Sequence, residues 1–439
     1  MSLRIALSTL GSLGDLHPFL EVGRELHRRG HRVTVATSPV YGPRVIGAGL
    51  EFLAIPPDYQ PNDPDVLDAV LDRWRGAERL HKEFVFPHMR GALEVFEPLA
   101  KDSDIVVRSV LSYHAGIAAE SAGVPWMSMQ LSPLCLWSAH EPPLLAPLPW
   151  LAGLPLGPRV HGFLLRTMLK VSEPWAKPVR RLRAERGLPY HGNPFAQGQF
   201  AGVATIAAFS REFYPPQPDW PQGVVQTGFI FHDESGPLEA GLARFLDAGD
   251  PPAVFTLGST AVHDPGPALS RLVEAACATD RRCVVLVGES RLADFEPLAT
   301  DKVFIGGYAP YAALFERAAL VVHQGGVGTT AQVMRAGCPH VVMPHCNDQF
   351  DNADRVRRLG IGRVIPARKA TPRRLCAAVA VLSEDVDAVR EAQRIGKLVR
   401  AEHGTEGAAD VIEWAAQFGV RVDEYSGLGC TDELDAEAR

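Results

Sequence analysis

Apolar residues in the first half of the chain form short continuous runs, several of them separated by stretches with helical spacing. The run at 3–9 alternates too weakly between apolar and polar residues for a half-exposed strand and predicts a buried parallel one. The stretch 16–29 places Leu16, Leu20 and Leu26 on one face of a helix. Further strands are predicted at 32–37, 105–108, 126–131 and 203–208. This alternation predicts a parallel α/β sheet.

A second strand–helix series begins after a break in the pattern. Residues 233–251 are acidic and contain several glycines, so we interpret them as a linker. Strands then follow at 253–257, 284–287, 303–305, 320–323 and 340–343. The chain is therefore predicted to form two Rossmann-like domains that face a cleft, at 1–232 and 252–418, followed by a disordered acidic tail at 419–439.

Length and composition agree with two globular domains. The chain has 439 residues, of which 46% are hydrophobic and 22% charged. Its net charge of -7 argues against a nucleic-acid-binding protein, which needs a basic face. The start lacks the pattern of a signal peptide, and no apolar run reaches the roughly 20 residues of a membrane span. With seven scattered cysteines and no C-x-x-C pair, these features favour a cytoplasmic protein with free thiols.

The segment 132–178 fits neither strand–helix series. It contains nine prolines and three tryptophans, and it is apolar but too interrupted by proline to span a membrane. One interpretation is an irregular excursion that packs on the domain. The other is the lining of a site for an apolar ligand, with Trp137 and Trp150 as candidate contacts.

The densest chemical signal is a buried strand at 320–323 that runs into a glycine turn and a helix. Gly325, Gly326 and Gly328 would let backbone N–H groups approach a ligand closely, and the positive end of the helix would point to the same place. This geometry is typical of phosphate binding, and His323 could donate a hydrogen bond there. The alternative is a tight turn with a purely structural role.

Asp348 and Gln349 follow the next predicted strand and open the next helix. An adjacent carboxylate and carboxamide can hold several hydroxyl groups, as a sugar requires. The alternative for Asp348 is a simple helix N-cap.

These stretches resemble the nucleotide-sugar signature of glycosyltransferase family 1, whose members have the GT-B fold. The family pattern reads W-x-P-Q, then H-x-G-x-x-(S/G)-T, then P-x-x-x-(D/E)-Q. It is matched in the same order by 308–311, 323–329 and 344–349. The similarity is greatest to the bacterial branch, with chain-B rhamnosyltransferases of rhamnolipid synthesis and the sterol and antibiotic glycosyltransferases. It implies that the first domain binds an acceptor and the second a nucleotide-sugar.

The resemblance also implies roles for single residues. Tyr308 would stack on the nucleobase, and the backbone of Ala309 would pair with the base edge. The diphosphate would be held by His323 and the amides near Gly328 and Thr329, and the sugar hydroxyls by Asp348 and Gln349.

Two positions depart from the family pattern. Tyr311 replaces the usual Gln, and Ala331 stands where plant members carry a ribose-binding Glu, with Gln332 next to it. The departures leave the selectivity for base and ribose open.

The turn 11–18 resembles the G-S-x-G-D-x-x-P motif of the same bacterial branch. Asp15 matches the carboxylate that is the proposed general base there, and a hydroxyl acceptor needs such a base. His17 is the rival base. The alternative for Asp15 is a cap of the following helix.

A second glycine turn closes the first strand of the second domain. Ser259 could offer a hydroxyl and an amide to the diphosphate, although an ordinary strand–helix connection would look the same. The two D-x-D matches, 63–65 and 385–387, are best explained by chance. Because the helix end and His323 already supply positive character, no metal and no cofactor are expected.

The resulting prediction is an inverting, metal-independent glycosyltransferase. It would move a hexose or deoxyhexose from a UDP- or dTDP-sugar to a hydroxyl of a lipophilic or aromatic acceptor, and it would associate peripherally with a membrane if that acceptor is a lipid. The alternatives are a rhamnosyltransferase specific for hydroxy-fatty acids, a sugar-nucleotide 2-epimerase and a non-catalytic auxiliary protein. A nicotinamide dehydrogenase is disfavoured because 11–14 does not supply G-x-G-x-x-G.

Overall fold

The computed structural model describes residues 2–60, 63–72, 74–145, 154, 156–233, 236–258 and 267–419. Two candidate site residues, Trp150 and Ser259, lie outside the described residues. So do positions 234–235 of the predicted linker and 420–439 of the predicted tail.

The first half of the chain builds a seven-stranded parallel sheet in the order β3-β2-β1-β4-β5-β6-β7. Its strands are β1 Arg4–Ser8, β2 Arg32–Thr37, β3 Glu51–Ala54, β4 Ile105–Arg108, β5 Trp126–Gln130, β6 Ala204–Ala207 and β7 Val224–Gln226. Its helices are α1 Leu13–Arg28, α2 Gly42–Gly47, α3 Pro64–Leu71, α4 Gly76–Arg79, α5 Met89–Lys101, α6 Tyr113–Ala122, α7 Gly157–Ser172 and α8 Lys177–Glu185. Alternate residues of β1 enter two separate cores, Ile5 and Leu7 on one face and Ala6 on the other. Both faces of the sheet are therefore covered.

The second half builds a six-stranded parallel sheet in the order β10-β9-β8-β11-β12-β13. Its strands are β8 Ala253–Thr256, β9 Cys283–Leu286, β10 Val303–Gly306, β11 Leu320–His323, β12 His340–Val342 and β13 Gly362–Val364. The helices are α9 Ala240–Asp247, α10 Ala268–Ala278, α11 Leu292–Phe295, α12 Tyr311–Phe315, α13 Val327–Ala336, α14 Gln349–Arg358, α15 Pro372–Glu384, α16 Val386–Arg400 and α17 Gly404–Phe418.

The predicted fold class is confirmed: the chain forms two α/β units, each with a parallel sheet. The ten strands expected from apolar runs are all present and differ from the prediction only at their ends. The sequence analysis missed β3, β7 and β13, three short strands at sheet edges with half-exposed residues. Edge strands bury too little surface to need a continuous apolar run.

The last helix, α17, packs on the first sheet although it follows the second one in the chain. Ile412 and Ala415 belong to the same core as Ile5 and Leu7. Glu413 of this helix pairs with Arg29 at 2.7 Å. The predicted second domain, 252–418, therefore includes a helix that contributes to the core of the first sheet. The limits of the two domains stay a prediction.

The proline-rich segment 132–178 is more regular than expected. Among its described residues, 136–145 and the single positions 132, 154 and 156 are irregular, whereas α7 and the start of α8 are helical. Pro158 and Pro178 stand in the first turns of these helices, where a residue needs no free N–H group. Counting prolines without their position therefore underestimated the helix content.

The six cysteines in the described part of the chain are free thiols. Among the same residues, no helix combines the length and the apolar character that a membrane crossing requires.

Candidate active site

Asp15 lies in the turn between β1 and α1. Its Oδ2 atom accepts hydrogen bonds from the backbone N–H of Ser12 at 2.8 Å and from the Ser12 hydroxyl at 3.2 Å, so the two residues form a capping box. Asp15 is thus part of a helix cap, as the alternative interpretation expected. Both hydrogen bonds from Ser12 go to this one oxygen, while burial raises the pKa of the Asp15 carboxyl.

His17, the rival base, faces the interior. Its ring stacks on His232 with 4.0 Å between the centroids, and its Nε2 atom is buried without a hydrogen-bond partner among the described residues. Burial, with the charges of His232 and Arg44, lowers the pKa of His17 to about 3. The ring is therefore neutral near pH 7 and a weak base.

His323 ends β11 and is fully buried. Its Nδ1 atom accepts a hydrogen bond from the backbone N–H of Gly325 at 3.1 Å, and its Nε2 atom lies 3.0 Å from Nδ1 of His340. Both ring nitrogens are thus used inside the protein. The expectation that His323 donates directly to a phosphate does not fit this arrangement, in which the ring holds the turn instead.

The turn that His323 holds leads into the first turn of α13. Gly325 has a φ of 91°, and a Cβ atom there would lie 2.7 Å from Val342, so only glycine fits without strain. Gly326 is the N-cap of α13, and the amides of Val327, Gly328 and Thr329 follow it. The first amides of a helix have no partner within it, so they are free to bind an anion.

A second glycine turn lies against this one. Gly258 has a φ of 68°, and a Cβ atom built on it would lie 2.2 Å from Nε2 of Gln324, a side chain that is 7% exposed. Gln324 thus fills the space between Gly258 and Gly326 and joins the turns after β8 and β11. Sequence analysis missed this residue, because nothing in the motif separates a buried Gln from a solvated one.

Asp348 is the N-cap residue of α14, but its side chain makes no capping hydrogen bond. Its Oδ2 atom instead accepts a hydrogen bond from Nδ2 of Asn352 at 2.9 Å. The same Nδ2 atom donates to the carbonyl oxygen of Gly325, also at 2.9 Å. Asn352 therefore ties the carboxylate to the glycine turn. The sequence offered one signal for it, since positions four apart on a helix share a face.

Gln349 uses its side-chain oxygen for local structure. Oε1 accepts hydrogen bonds from the backbone N–H groups of His345 at 2.8 Å and Cys346 at 3.3 Å. This orients the amide and leaves its NH₂ group to donate elsewhere.

The structure brings the first-domain and second-domain candidates together. Burial raises the pKa of Asp348 to about 6, and the charge of Asp15 contributes to the increase. Cys135 is within electrostatic range of both carboxylates, since burial first and then the charges of Asp348 and Asp15 raise the pKa of its thiol to about 12. The turn after β1 and the start of α14 are therefore electrostatically coupled.

The residues expected near the nucleobase are split between surface and core. Tyr308 is 49% exposed at the end of β10, whereas Ala309 is buried. Tyr311, at the position of the usual Gln, stacks on Phe315 with 4.6 Å between the rings and lies 2.8 Å from the Thr256 hydroxyl. The departure from the motif therefore puts a core side chain where a polar one was expected.

Neither residue at the expected ribose position is free. Ala331 is buried in the core around α13. The Oε1 atom of Gln332 accepts a hydrogen bond from Arg335 at 2.8 Å, and its Nε2 atom lies 3.4 Å from Asp233.

Trp137 lines a groove of about 370 Å³ on the first domain. Leu165, Leu169 and Phe200 supply other apolar walls, and Cys135 also lines it. Cys135 thus belongs to the groove and is also within electrostatic range of Asp15 and Asp348.

A buried ion-pair network fastens the loop beside this groove to α14. Oδ1 of Asp351 accepts from the backbone N–H of Leu144 at 2.8 Å, and Oδ2 accepts from Arg355 at 2.9 Å. Arg355 also pairs with Glu141 and lies 3.8 Å from the ring centroid of Tyr214. The segment 141–144 of the first half is thus anchored to the helix that presents Gln349. The sequence analysis did not single out these residues.

Comparisons with known proteins agree with this geometry. The model described as Glycosyltransferase family 28 N-terminal domain matches residues 5–128, and that described as Erythromycin biosynthesis protein CIII-like, C-terminal domain, matches 270–412. O-mycaminosyltylonolide 6-deoxyallosyltransferase of Streptomyces fradiae is 31% identical over 430 residues, which cover 94% of this chain and 98% of the relative. The chain belongs to glycosyltransferase family 1.

As a family 1 glycosyltransferase, the protein transfers a sugar to a small-molecule acceptor. A sterol 3-beta-glucosyltransferase of Debaryomyces hansenii is 26% identical over 441 residues, which cover 95% of this chain and 27% of that relative. The crystal structure of glycosyltransferase VinC in complex with dTDP aligns with a TM-score of 0.68 at 19% identity and covers 94% of this chain and 100% of that one. The predicted GT-B fold and glycosyltransferase class are confirmed.

The two D-x-D stretches of this glycosyltransferase have a local structural explanation. Asp63 and Asp385 are N-cap residues whose side chains accept from backbone N–H groups of Asp65 and Ala388 at 3.0 and 3.1 Å. The first aspartate of each stretch is therefore explained by its role as a helix N-cap.

Proposed function

We propose that the protein is an inverting transferase that moves a hexose or deoxyhexose from a dTDP- or UDP-sugar to a hydroxyl of a lipophilic or aromatic small molecule. The observations that carry this proposal are the electrostatic coupling of Asp15, from the first domain, with Asp348, from the second, and the hydrogen bond at 3.2 Å from Nδ2 of Asn347, next to Asp348, to the carbonyl oxygen of Val70 in the first domain. A base on one side of the cleft and a sugar-binding carboxylate on the other can bring both substrates into reactive contact.

The proposed seat of the diphosphate is the first turn of α13. Gly328 is exposed there, and a Cβ atom built on it would meet nothing within 4 Å, so the first turn of α13 has open space beside it. Unpaired amides and the positive end of the helix favour the charge that builds on the leaving diphosphate. In this proposal His323 acts by holding the turn, and Tyr308 offers its exposed ring to the base.

The proposed sugar contacts are Asp348 and Gln349. The Asp348 carboxylate is not used for capping, and Asn352 holds it in place. The Gln349 amide is oriented by its own loop. A fixed acceptor group beside a fixed donor group suits vicinal hydroxyls.

The proposed general base is Asp15 rather than His17. Burial raises the pKa of Asp15, which makes its carboxylate a stronger base, and the hydrogen bonds from Ser12 occupy only Oδ2. Burial lowers the pKa of His17 to about 3 and encloses its Nε2 atom. The same desolvation therefore strengthens one candidate and weakens the other.

The proposed acceptor site is the groove beside Trp137. Its apolar walls favour a lipophilic or aromatic acceptor, in agreement with relatives whose names specify a sterol and O-mycaminosyltylonolide. In the proposed reaction, Asp15 removes the proton of the acceptor hydroxyl. Its oxygen attacks the anomeric carbon as the bond to the diphosphate oxygen breaks, with inversion of configuration.

The donor part of the proposal is tested by thermal shift with dTDP, UDP and GDP at equal concentrations. We expect dTDP or UDP to raise the melting temperature more than GDP, because at equal concentration the ligand with the lower Kd stabilises the folded state more. A Gly328→Val variant, with a side chain over the proposed seat, should lose this shift. A larger shift with GDP would contradict the assigned nucleotides.

Transfer is expected to persist in excess EDTA after divalent ions have been stripped from the protein. The amides of α13 already stabilise the negative charge on the leaving diphosphate, so no metal is needed for that purpose. Initial rates before and after treatment, with added magnesium as the control, check this expectation. Complete loss that magnesium or manganese restores would show that the amides are insufficient.

Trp137→Ala is expected to raise the acceptor KM about three- to tenfold and to leave the donor KM unchanged, because an aromatic contact of this kind is worth roughly 0.5–1.5 kcal/mol. Trp175→Ala is the matched control, since Trp175 packs on Phe195 and does not line the groove. Steady-state kinetics on both variants decide the matter. A change confined to the donor KM would remove Trp137 from the acceptor site.

A further inference from the structure

Helix α7 carries an apolar stripe that faces solvent. Leu156 precedes the helix, and Val160, Phe163 and Val171 follow at intervals that keep them on one side of it. Phe163 is 62% exposed, Val171 68% and Val160 44%. Burying these side chains would be favourable, so an uncovered stripe of this kind points to a binding surface.

Basic residues flank the stripe. Arg159 directly precedes Val160 and Lys170 directly precedes Val171, and the helix contains no Asp or Glu. Arg159 and Lys170 are both exposed. This local excess of positive charge stands out in a chain whose net charge is -7.

The other side of α7 belongs to the groove beside Trp137. Gly162, Leu165 and Leu169 line that groove, and they lie between the stripe positions in the sequence. One helix therefore separates the groove from the exposed apolar surface.

We propose that the α7 stripe, defined as Leu156, Val160, Phe163 and Val171, docks the protein on an anionic lipid surface. Apolar side chains between basic ones, on one face of a helix, are the pattern that binds in the plane of a membrane interface. Contact between two copies through this face would bring Arg159 and Lys170 close to the same residues of the second copy, and like charges oppose such contact. A lipophilic acceptor would then enter the groove from the lipid side. This last step rests on the proposed function, whereas the docking itself does not.

The test is co-sedimentation of the full chain with vesicles of equimolar phosphatidylcholine and phosphatidylglycerol, and with phosphatidylcholine alone. We expect binding to the anionic vesicles that weakens at high salt. Phe163→Ser with Val171→Ser should weaken it about tenfold or more, because two apolar side chains lose their burial. Arg159→Gln with Lys170→Gln should weaken it by about the same factor.

The matched control is Ile46→Ser with Val386→Ser, at two residues that are 64% and 65% exposed elsewhere on the surface. The control should bind like the wild type, and all variants should melt at the same temperature. The proposal would be overturned if the wild type did not bind the vesicles or if the stripe variants bound as well as the wild type. It would also be overturned if the wild type were a dimer and the stripe variants monomers. Transfer to a water-soluble acceptor, measured without vesicles, should be the same in all variants, and its failure would count against the proposed function and not against the docking surface.

Discussion

Asp15→Asn is expected to lower kcat by about 10²–10⁴-fold, the usual cost of removing a general base. The amide is nearly the size of the carboxylate, and its oxygen can still accept the N–H of Ser12 at the start of α1. Donor binding and the fold should therefore be retained. Single-turnover kinetics, with a thermal shift by the donor nucleotide as the binding control, measure both quantities.

The direction in which Asp15→Asn changes the stability of the fold follows from the pKa of Asp15. Because burial raises the pKa of Asp15 in the folded protein above its unfolded value, ionising it costs folding free energy. That cost is absent at pH values below both pKa values and grows as the pH rises past the unfolded pKa. Near pH 7 the Asn variant should thus be at least as stable as the wild type, and a lost rate could not be attributed to unfolding.

His17→Ala is the comparison that separates the two candidate bases. Because His17 is a weak base with an enclosed Nε2 atom, we expect its removal to cost far less than Asp15→Asn. If His17→Ala abolished transfer while Asp15→Asn stayed within a few-fold of the wild type, the assignment would be reversed.

The fall in rate on the acid side of the pH–rate profile should reflect the joint protonation of Asp15 and Asp348. Asp348 has its pKa raised to about 6 by burial and in part by Asp15, so the two groups titrate together. The wild-type rate should fall as the pH drops through this range. In Asp15→Asn the residual activity should persist to lower pH, because Asp348 has lost a neighbouring negative charge.

His323→Ala is expected to weaken donor binding and to cost up to about 10²–10³-fold in turnover, the magnitude seen when preorganised donors, here the α13 amides, no longer meet the developing charge. The cause would be indirect. Without the ring, the N–H of Gly325 loses its acceptor at 3.1 Å, and the turn that presents the α13 amides is no longer held.

His323→Asn distinguishes this positioning role from direct contact with phosphate. The side-chain oxygen of Asn can occupy the place of Nδ1 and accept from Gly325, but nothing replaces Nε2. We expect Asn to restore most of the donor affinity that Ala loses, measured by titration with the nucleotide. If Asn and Ala were equally defective while both remained folded, a role of Nε2 would have to be considered instead.

The sequence predicted the central strands and the order of the motifs because both depend on local patterns. Strands such as β4 and β11 are buried along their whole length and therefore appear as apolar runs. The edge strands and the attachment of α17 to the first sheet depend on partners distant in the chain, and no local pattern reports them. The helices of the proline-rich segment were missed because each proline was treated as a break, although Pro158 begins a helix.

At the site, the sequence predicted where the candidate residues lie better than it predicted what their side chains contact. Asp15, Asp348 and Gln349 lie where the motifs place them. His323 and Tyr311 also lie in their motifs, but their side chains face the core, and a motif does not state which face of a turn a ring takes. Asn352 and Arg355 act through contacts with Gly325 and Glu141, and those contacts exist only in the folded chain.

The most direct test of the central claim is the anomeric configuration of the transferred sugar. The purified protein would be incubated with dTDP- or UDP-hexoses and a panel of hydroxylated acceptors, comprising a sterol, a macrolactone and a hydroxy-fatty acid, and the product would be examined by NMR. The account predicts one glycoside whose anomeric configuration is opposite to that of the donor, formed by wild type and strongly reduced in Asp15→Asn. A product with retained configuration, or an Asp15→Asn variant as active as the wild type, would contradict displacement by an acceptor that Asp15 activates.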